Sequence, residues 1–367
     1  MRIVAFGTYQ ADSHPRVAVL IEGLRAHGHE VVELNEPLGL STADRVGMLQ
    51  RPWRLPVLAG RLASRWYRLW RRGRAQLRTA RPDAVLVGYL GHFDVQLAAL
   101  TFRGIPVVLD HLIFAAGTAI DRGTRQGLRT RLLSVLDRRA LAAADVVVLD
   151  TEEHRRQVPP DLQDRAVVCP VGADARWFAA GRSAAPDPAP GEPVRVAFFG
   201  LYTPLQGATV IGAALGRLAG RDDLQVTMIG AGQDLAATRG AAGPDAPVVW
   251  RDLVPAAELP ALIAGQHVAL GIFGTSAKAL HVVPNKVFQS AAAGNAVVTS
   301  DTGPQRRLLA DDALFVPPGD AGALAAALVR LTEDRAELAR LRAAATRRAE
   351  SFTAAAVVEP LLHKLAR

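Results

Sequence analysis

Short apolar runs alternate along the chain with longer segments whose apolar positions recur every three or four residues, and the whole pattern occurs twice. In the first half the runs fall at 2–6, 29–34, 84–88, 106–109, 145–149 and 166–170. In the second they fall at 194–199, 225–229, 247–250, 268–270, 296–299 and 313–316. Unbroken apolar runs, rather than alternating ones, predict strands covered on both faces, and the helical segments between them supply the cover. Those helices are expected at 15–27, 208–218, 256–264, 286–293 and 321–331, with a more charged one at 333–350. The pattern predicts an α/β protein with two doubly wound parallel sheets.

Between the two series lies GRSAAPDPAPGEP, rich in Pro, Gly and Ala. It reads as a linker over 181–193, separating a first domain at 1–180 from a second at 194–350, with 351–367 left as a C-terminal helix packing back on the first domain. Two such halves are expected to face a cleft, with ligand at the carboxyl ends of the strands.

The most informative stretch is 268–301. A strand runs into a turn at Gly271 and Gly274, and Pro284 closes a loop before a helix that begins at about Lys286 and stops at Gly294. The free N–H groups of such a helix start attract an anion, and a lysine in its first turn is disfavoured by the helix dipole unless an anion joins it. Of the 43 basic residues only Lys278, Lys286 and Lys364 are lysines, so two within nine positions stand out. A solvated surface role is the plainer alternative for both.

Composition narrows the class. The 367 residues are 50% apolar and 21% charged, which suits a globular protein with two cores. The lone Cys169 excludes an intramolecular disulfide and fits a reducing compartment, and no run approaches the length of a membrane-spanning helix. A cytoplasmic location is expected. The net charge of +8 favours acidic partners. Ten arginines fall within 51–81 beside Trp53, Trp66, Tyr67 and Trp70. Basic residues with interfacial aromatics suit an anionic membrane surface, here its inner face, whereas a nucleic-acid partner is not expected because no nucleic-acid-binding motif surrounds them.

Taken in order, GTYQADSHPRVAVLIEGLRAHGHEV, LDHLIFAAGTAIDRG, AADVVVLDTEEH, FFGLYTPLQGATVI, MIGAGQD, LGIFGTSAKALHVVPNKVFQSAAAGNAVVTSDTG and LFVPPGDAGALAAAL resemble the series found in retaining glycosyltransferases of the GT-B fold, family 4 type (group 1). The resemblance covers nearly the whole chain. It implies two Rossmann-like domains, a nucleotide diphosphate sugar as donor substrate, a hydroxyl acceptor (glycan, lipid-linked or natural product), no separate cofactor and no metal. Carried over, the donor would be held by Gly200, Thr203, Gly207, Gly230, Gly232, Trp250, Leu253, Phe273, Gly274, Thr275, Lys278, Lys286 and Gln289. His111, Asp110 and Lys286 would carry the chemistry, and His14, His92, Asp121 and Arg122 would meet the acceptor.

Several positions depart from the family pattern. Its paired glutamates fall on His281 and Gln289, its basic pair beside the phosphate turn falls on Leu201 and Gln206, and Arg306 and Arg307 stand near the place of another glutamate. Lys278, Arg306 or Arg122 is expected to make up the missing positive charge. A neutral amide at Gln289 still hydrogen-bonds ribose hydroxyls. The departures keep open a catalytically inactive binding protein of the same fold, and a phosphorylase or epimerase as a third reading.

Overall fold

The computed structural model describes residues 1–9, 15–38, 55–88, 91–121 and 127–366. All twelve predicted strands are present. Six form a parallel sheet in the order β2-β1-β3-β4-β5-β6: β1 Arg2–Gly7, β2 Glu30–Asn35, β3 Ala84–Val87, β4 Val107–Asp110, β5 Val146–Leu149 and β6 Ala166–Val168. The other six form a second, in the order β12-β11-β10-β7-β8-β9: β7 Val194–Phe199, β8 Leu224–Ile229, β9 Val248–Arg251, β10 Val268–Leu270, β11 Ala296–Ser300 and β12 Leu314–Val316. Strands β3, β4, β5, β10 and β11 are buried along their whole length, as unbroken apolar runs demand.

Strand order reverses between β1 and β3 in one sheet and between β7 and β10 in the other. Loops leaving the carboxyl ends of the two strands at such a point diverge and open a crevice. In the first sheet the steps β2 to β3, β3 to β4 and β4 to β5 all run in one direction. Right-handed crossovers therefore lay the helices Leu55–Thr79, Asp94–Thr101 and Leu128–Ala143 on one face, and the opposite step from β1 to β2 puts Pro15–Ala26 on the other. Asp94–Thr101 packs against both of its neighbours in that layer.

The chain divides into two compact units, one comprising Met1–Ile120, Thr124–Cys169 and Val358–Arg367, the other centred on Pro170–Val357. Each has its own apolar core, around Phe6, Val85 and Phe102 in the first and around Phe198, Ile211 and Leu328 in the second. The division departs from the sequence expectation at 170–180, which belongs to the second unit. Helix Ala175–Gly181 packs there, Trp177 stacking on Phe199 at 5.7 Å. Gly181 lies so close to the Ala292 carbonyl that a Cβ would sit 2.1 Å from its oxygen.

The stretch 181–193 is not a free linker. Ala185 N–H donates to the Ala264 carbonyl at 2.8 Å, and Arg342 bonds both Asp187 and the Ala185 carbonyl. Arg335 donates to the Glu192 carbonyl at 3.0 Å. A proline-rich segment has few N–H groups to offer, so its carbonyls are left for guanidinium donors. The C-terminal helix Ala354–Leu365 counts with the first unit from Val358 on, where Lys364 donates to the Asp164 carbonyl. No helix among the described residues is long and apolar enough to cross a membrane.

Candidate active site

In the second unit three loops meet at the strand-order reversal. The loop after β7 contains Gly200, Tyr202 and Gly207, that after β8 Gly230 and Gly232, and that after β10 Phe273 and Gly274. They touch backbone to backbone. Tyr202 N–H donates to Ala231 at 2.9 Å, and Phe273 N–H to Gln206 at 3.0 Å. A Cβ at Gly230 would lie 1.9 Å from the Gly200 oxygen, and one at Gly207 would lie 2.4 Å from the Phe273 carbonyl carbon at a φ of +64°. These glycines thus serve loop-on-loop packing first, and any backbone approach to a ligand comes on top of that.

Phe273, expected to line a pocket, is fully buried in the core of this unit, so only its backbone faces the loops. Thr203 is half-buried and Thr275 exposed. Trp250 lies 6.5 Å from Tyr202 with the Arg239 guanidinium 5.2 Å over its ring, while Leu253 is exposed.

Helix Asn285–Ala292 begins directly after Pro284, with Lys286 in its first turn. The Lys286 side chain does not reach solvent. It is 6% exposed, its Nζ sits 3.6 Å from the centre of the Phe198 ring, and it has no hydrogen-bond partner among the described residues. Gly200 stands beside that amine, where a Cβ would be in ordinary contact with Nζ at 3.4 Å, and its φ of +135° is what calls for glycine there. Burial pushes its pKa well below the ordinary lysine value. The Gln206 Oε1 and Thr302 Oγ1, on the loops after β7 and β11, are likewise buried without partners.

Lys278, His281 and Gln289 are half-buried. Leu201 stands 54% exposed at a position where the resemblance leads one to look for a cation. Arg306, expected among the residues that make up the charge, pairs with Asp301 at 2.7 Å and lies over Phe315 at 4.1 Å.

In the first unit Asp110 and His111 end β4. Asp110 was expected to act on substrate, but its Oδ1 accepts from Arg16 Nε at 2.7 Å in a pair buried on both sides. The Arg16 Nη2 donates to the Cys169 carbonyl at 3.0 Å. Burial works against the guanidinium charge, but Asp110 outweighs it and holds Arg16 protonated. Asp110 thus meets a guanidinium through one oxygen, while its Oδ2 is buried with no partner among the described residues. Cys169, buried beside them, has its thiol pushed by burial up to about 11, which leaves it inert.

His111 is 2% exposed, its Nε2 has no partner, and burial, reinforced by nearby His92, pushes its pKa down to about 3. A neutral imidazole suits a hydroxyl better than an anion. His92 and Phe114 flank it edge-on at 5.0 and 4.7 Å. His92 Nε2 is 2.9 Å from Asp137 Oδ1, and Asp137 also accepts from Ala115 and Ala116 N–H. His92, His111 and Asp137 could hold a metal ion by spacing, their ligand atoms lying within 4.8 Å of one another, but Asp137 is already taken by those donors. The structure thus joins His92 to His111. His14 and Arg122 lie outside the described residues, as does the side chain of Asp121.

Sequence reasoning missed Arg16, Asp137 and Asp94. Asp94 accepts from Thr8 N–H at 2.7 Å and from Trp66 Nε1 at 2.8 Å, fixing Thr8 just past the end of β1. A single arginine in an otherwise apolar helix face (PRVAVLIEGL) was the available signal for Arg16.

Family models match both halves: a glycosyl transferase 4-like domain over residues 13–173 and glycosyl transferases group 1 over residues 193–334. The chain belongs to the group 1 glycosyltransferases of the GT-B fold. Solved structures agree on the fold of this glycosyltransferase. Sucrose-phosphate synthase from Thermosynechococcus elongatus is 17% identical at a TM-score of 0.68, covering 100% of this chain and 98% of that one. HepE of Anabaena, solved with UDP, is 13% identical at 0.64, covering 100% and 99%. A UDP-forming α,α-trehalose-phosphate synthase from Burkholderia xenovorans, solved with glucose-6-phosphate, is 16% identical at 0.58, covering 83% and 79%. Comparison with curated proteins finds no match.

Proposed function

We propose that this glycosyltransferase moves a hexosyl group from a nucleotide diphosphate sugar to a hydroxyl acceptor with retention at the anomeric carbon, without a metal. The observation that carries the reading is Lys286, a buried amine at a helix start with nothing to bond. A diphosphate there would supply the counter-charge that the folded chain lacks, and would restore the lysine to its protonated form. The UDP and glucose-6-phosphate named in the neighbours' structures fit the same substrate classes.

In this mechanism the bond from the anomeric carbon to the β-phosphate oxygen breaks as the acceptor oxygen bonds on the same face. The acceptor proton passes to the leaving phosphate. Lys286 and the N–H groups of its helix stabilise the developing diphosphate charge. His111, neutral and buried, offers a hydrogen bond to a hydroxyl of the transferred sugar. Gln289 would hydrogen-bond the ribose through its amide.

The test is calorimetry and thermal shift against UDP, GDP, ADP and their sugar conjugates. One nucleotide should bind and raise the melting temperature, and Lys286→Ala should abolish both effects. Failure of every nucleotide to bind would instead favour a non-catalytic protein of this fold, the reading to which Leu201 and Gln206 point.

A further inference from the structure

The layer of helices Leu55–Thr79, Asp94–Thr101 and Leu128–Ala143 has an outer face that neither the fold nor the reaction needs. It exposes large apolar side chains on all three members: Tyr67 at 59% and Trp70 at 42%, Leu100 at 55%, and Leu128, Leu132 and Val135 at 76, 62 and 51%. Tyr67 and Trp70 stack on each other at 6.3 Å. Leu128, Leu132 and Val135 follow the four- and three-residue steps of one helix stripe.

The charge on this layer is one-sided. Its three helices contain two acids, Asp94 and Asp137, and both are buried. They contain eleven arginines, seven on the first helix and four on the last. Glu36 takes Arg68 and Arg72, and Asp161 takes Arg138. Arg71, Arg74, Arg78, Arg129, Arg131 and Arg139 are exposed with no side-chain partner among the described residues.

We propose that this face is a docking surface for an anionic lipid bilayer. Interfacial aromatics and leucines insert at headgroup depth while arginines pair with lipid phosphates, and a three-helix layer presents both over a broad area. A second copy of the chain is a poorer occupant, since mating the face with itself would oppose arginine to arginine. A nucleic acid would satisfy the arginines but leave the leucine stripe without an apolar partner. The proposal does not depend on transferase activity.

The test is flotation of the full chain with phosphatidylcholine vesicles, with and without phosphatidylglycerol. Binding should require the anionic lipid and fall with salt. Each arginine near the surface contributes about fivefold. Arg71→Gln/Arg74→Gln/Arg78→Gln should therefore weaken binding on the order of a hundredfold, whereas Arg182→Gln/Arg340→Gln/Arg347→Gln, with the same net charge, should bind as before. Leu128→Ser/Leu132→Ser and Tyr67→Ser/Trp70→Ser should each release the protein while keeping its melting temperature. Binding that ignores lipid charge, equal losses in the two arginine triples, or no vesicle binding at all would overturn the proposal. So would a dimer by analytical ultracentrifugation that Leu128→Ser/Leu132→Ser dissolves.

Discussion

In the first unit Arg16 faces Asp110, His92 faces Asp137 and His154 faces Asp150 at 2.5 Å, all of them buried. In the second unit Lys286 ends over the Phe198 ring with no partner. Burying a charge is expensive unless another group answers it, so the two arrangements have different meanings. A completed pair anchors His92 after β3, Asp110 at the end of β4 and Asp150 after β5. An uncompleted amine records a free energy that a ligand can recover. The loops around Lys286 owe their shape to glycine-mediated backbone packing instead, which leaves the amine available.

The sharpest way to break the contrast is to remove one half of a pair. Asp110→Asn leaves the Arg16 guanidinium buried without its counter-charge, and the loss of stability on urea unfolding should be about 3–5 kcal/mol. Replacing both, as Arg16→Met/Asp110→Leu, should recover most of it. A loss below about 1 kcal/mol for Asp110→Asn would mean that the pair is not structural. Lys286→Met should do the opposite. The lysine is protonated in the unfolded chain but resists its proton when buried, so the folded state is penalised below the ordinary lysine pKa, and the penalty fades as pH rises toward that value. Removing the amine should stabilise the free protein by about 2 kcal/mol while erasing stabilisation by nucleotide. A destabilised variant that still responds to nucleotide would refute both parts.

The contrast also separates what could be read from sequence from what could not. Twelve strands were legible as local runs of apolar residues, which in β3, β4, β5, β10 and β11 reflect burial on both faces and in β2 and β9 only partial cover. The placement of Lys286 in the first turn of a helix was legible because the local grammar of strand, Gly-rich turn, proline and helix start is contained within 268–301. The long-range partners of the first unit were not. Asp110 and Arg16 are 94 positions apart, and His92 and Asp137 are 45 apart. Nothing local distinguishes an aspartate at a strand end that meets substrate from one that meets an arginine on another element. The 181–193 stretch failed for a similar reason. Its composition says that it forms no regular element, and says nothing of Arg335 and Arg342, which hold it down.

Per pH unit His111 gives the smallest effect, and it bears on a buried group of the first unit that is left unanswered at its Nε2, as Lys286 is in the second. Its pKa lies near 3 in the folded chain, against an ordinary histidine value of 6.5. Between those values the unfolded chain takes up a proton that the folded chain refuses. Stability attributable to His111 is thus fully present above the ordinary value and is lost as pH falls toward 3. The slope from this one group should be about 1.4 kcal/mol per pH unit. Urea titrations of the wild type and His111→Gln over that range should diverge by that slope, the glutamine variant being the flatter. Parallel curves would mean that the folded state lets His111 take its proton, through water or a rearranged His92, and the neutral hydrogen-bonding role assigned to it would fall with that result.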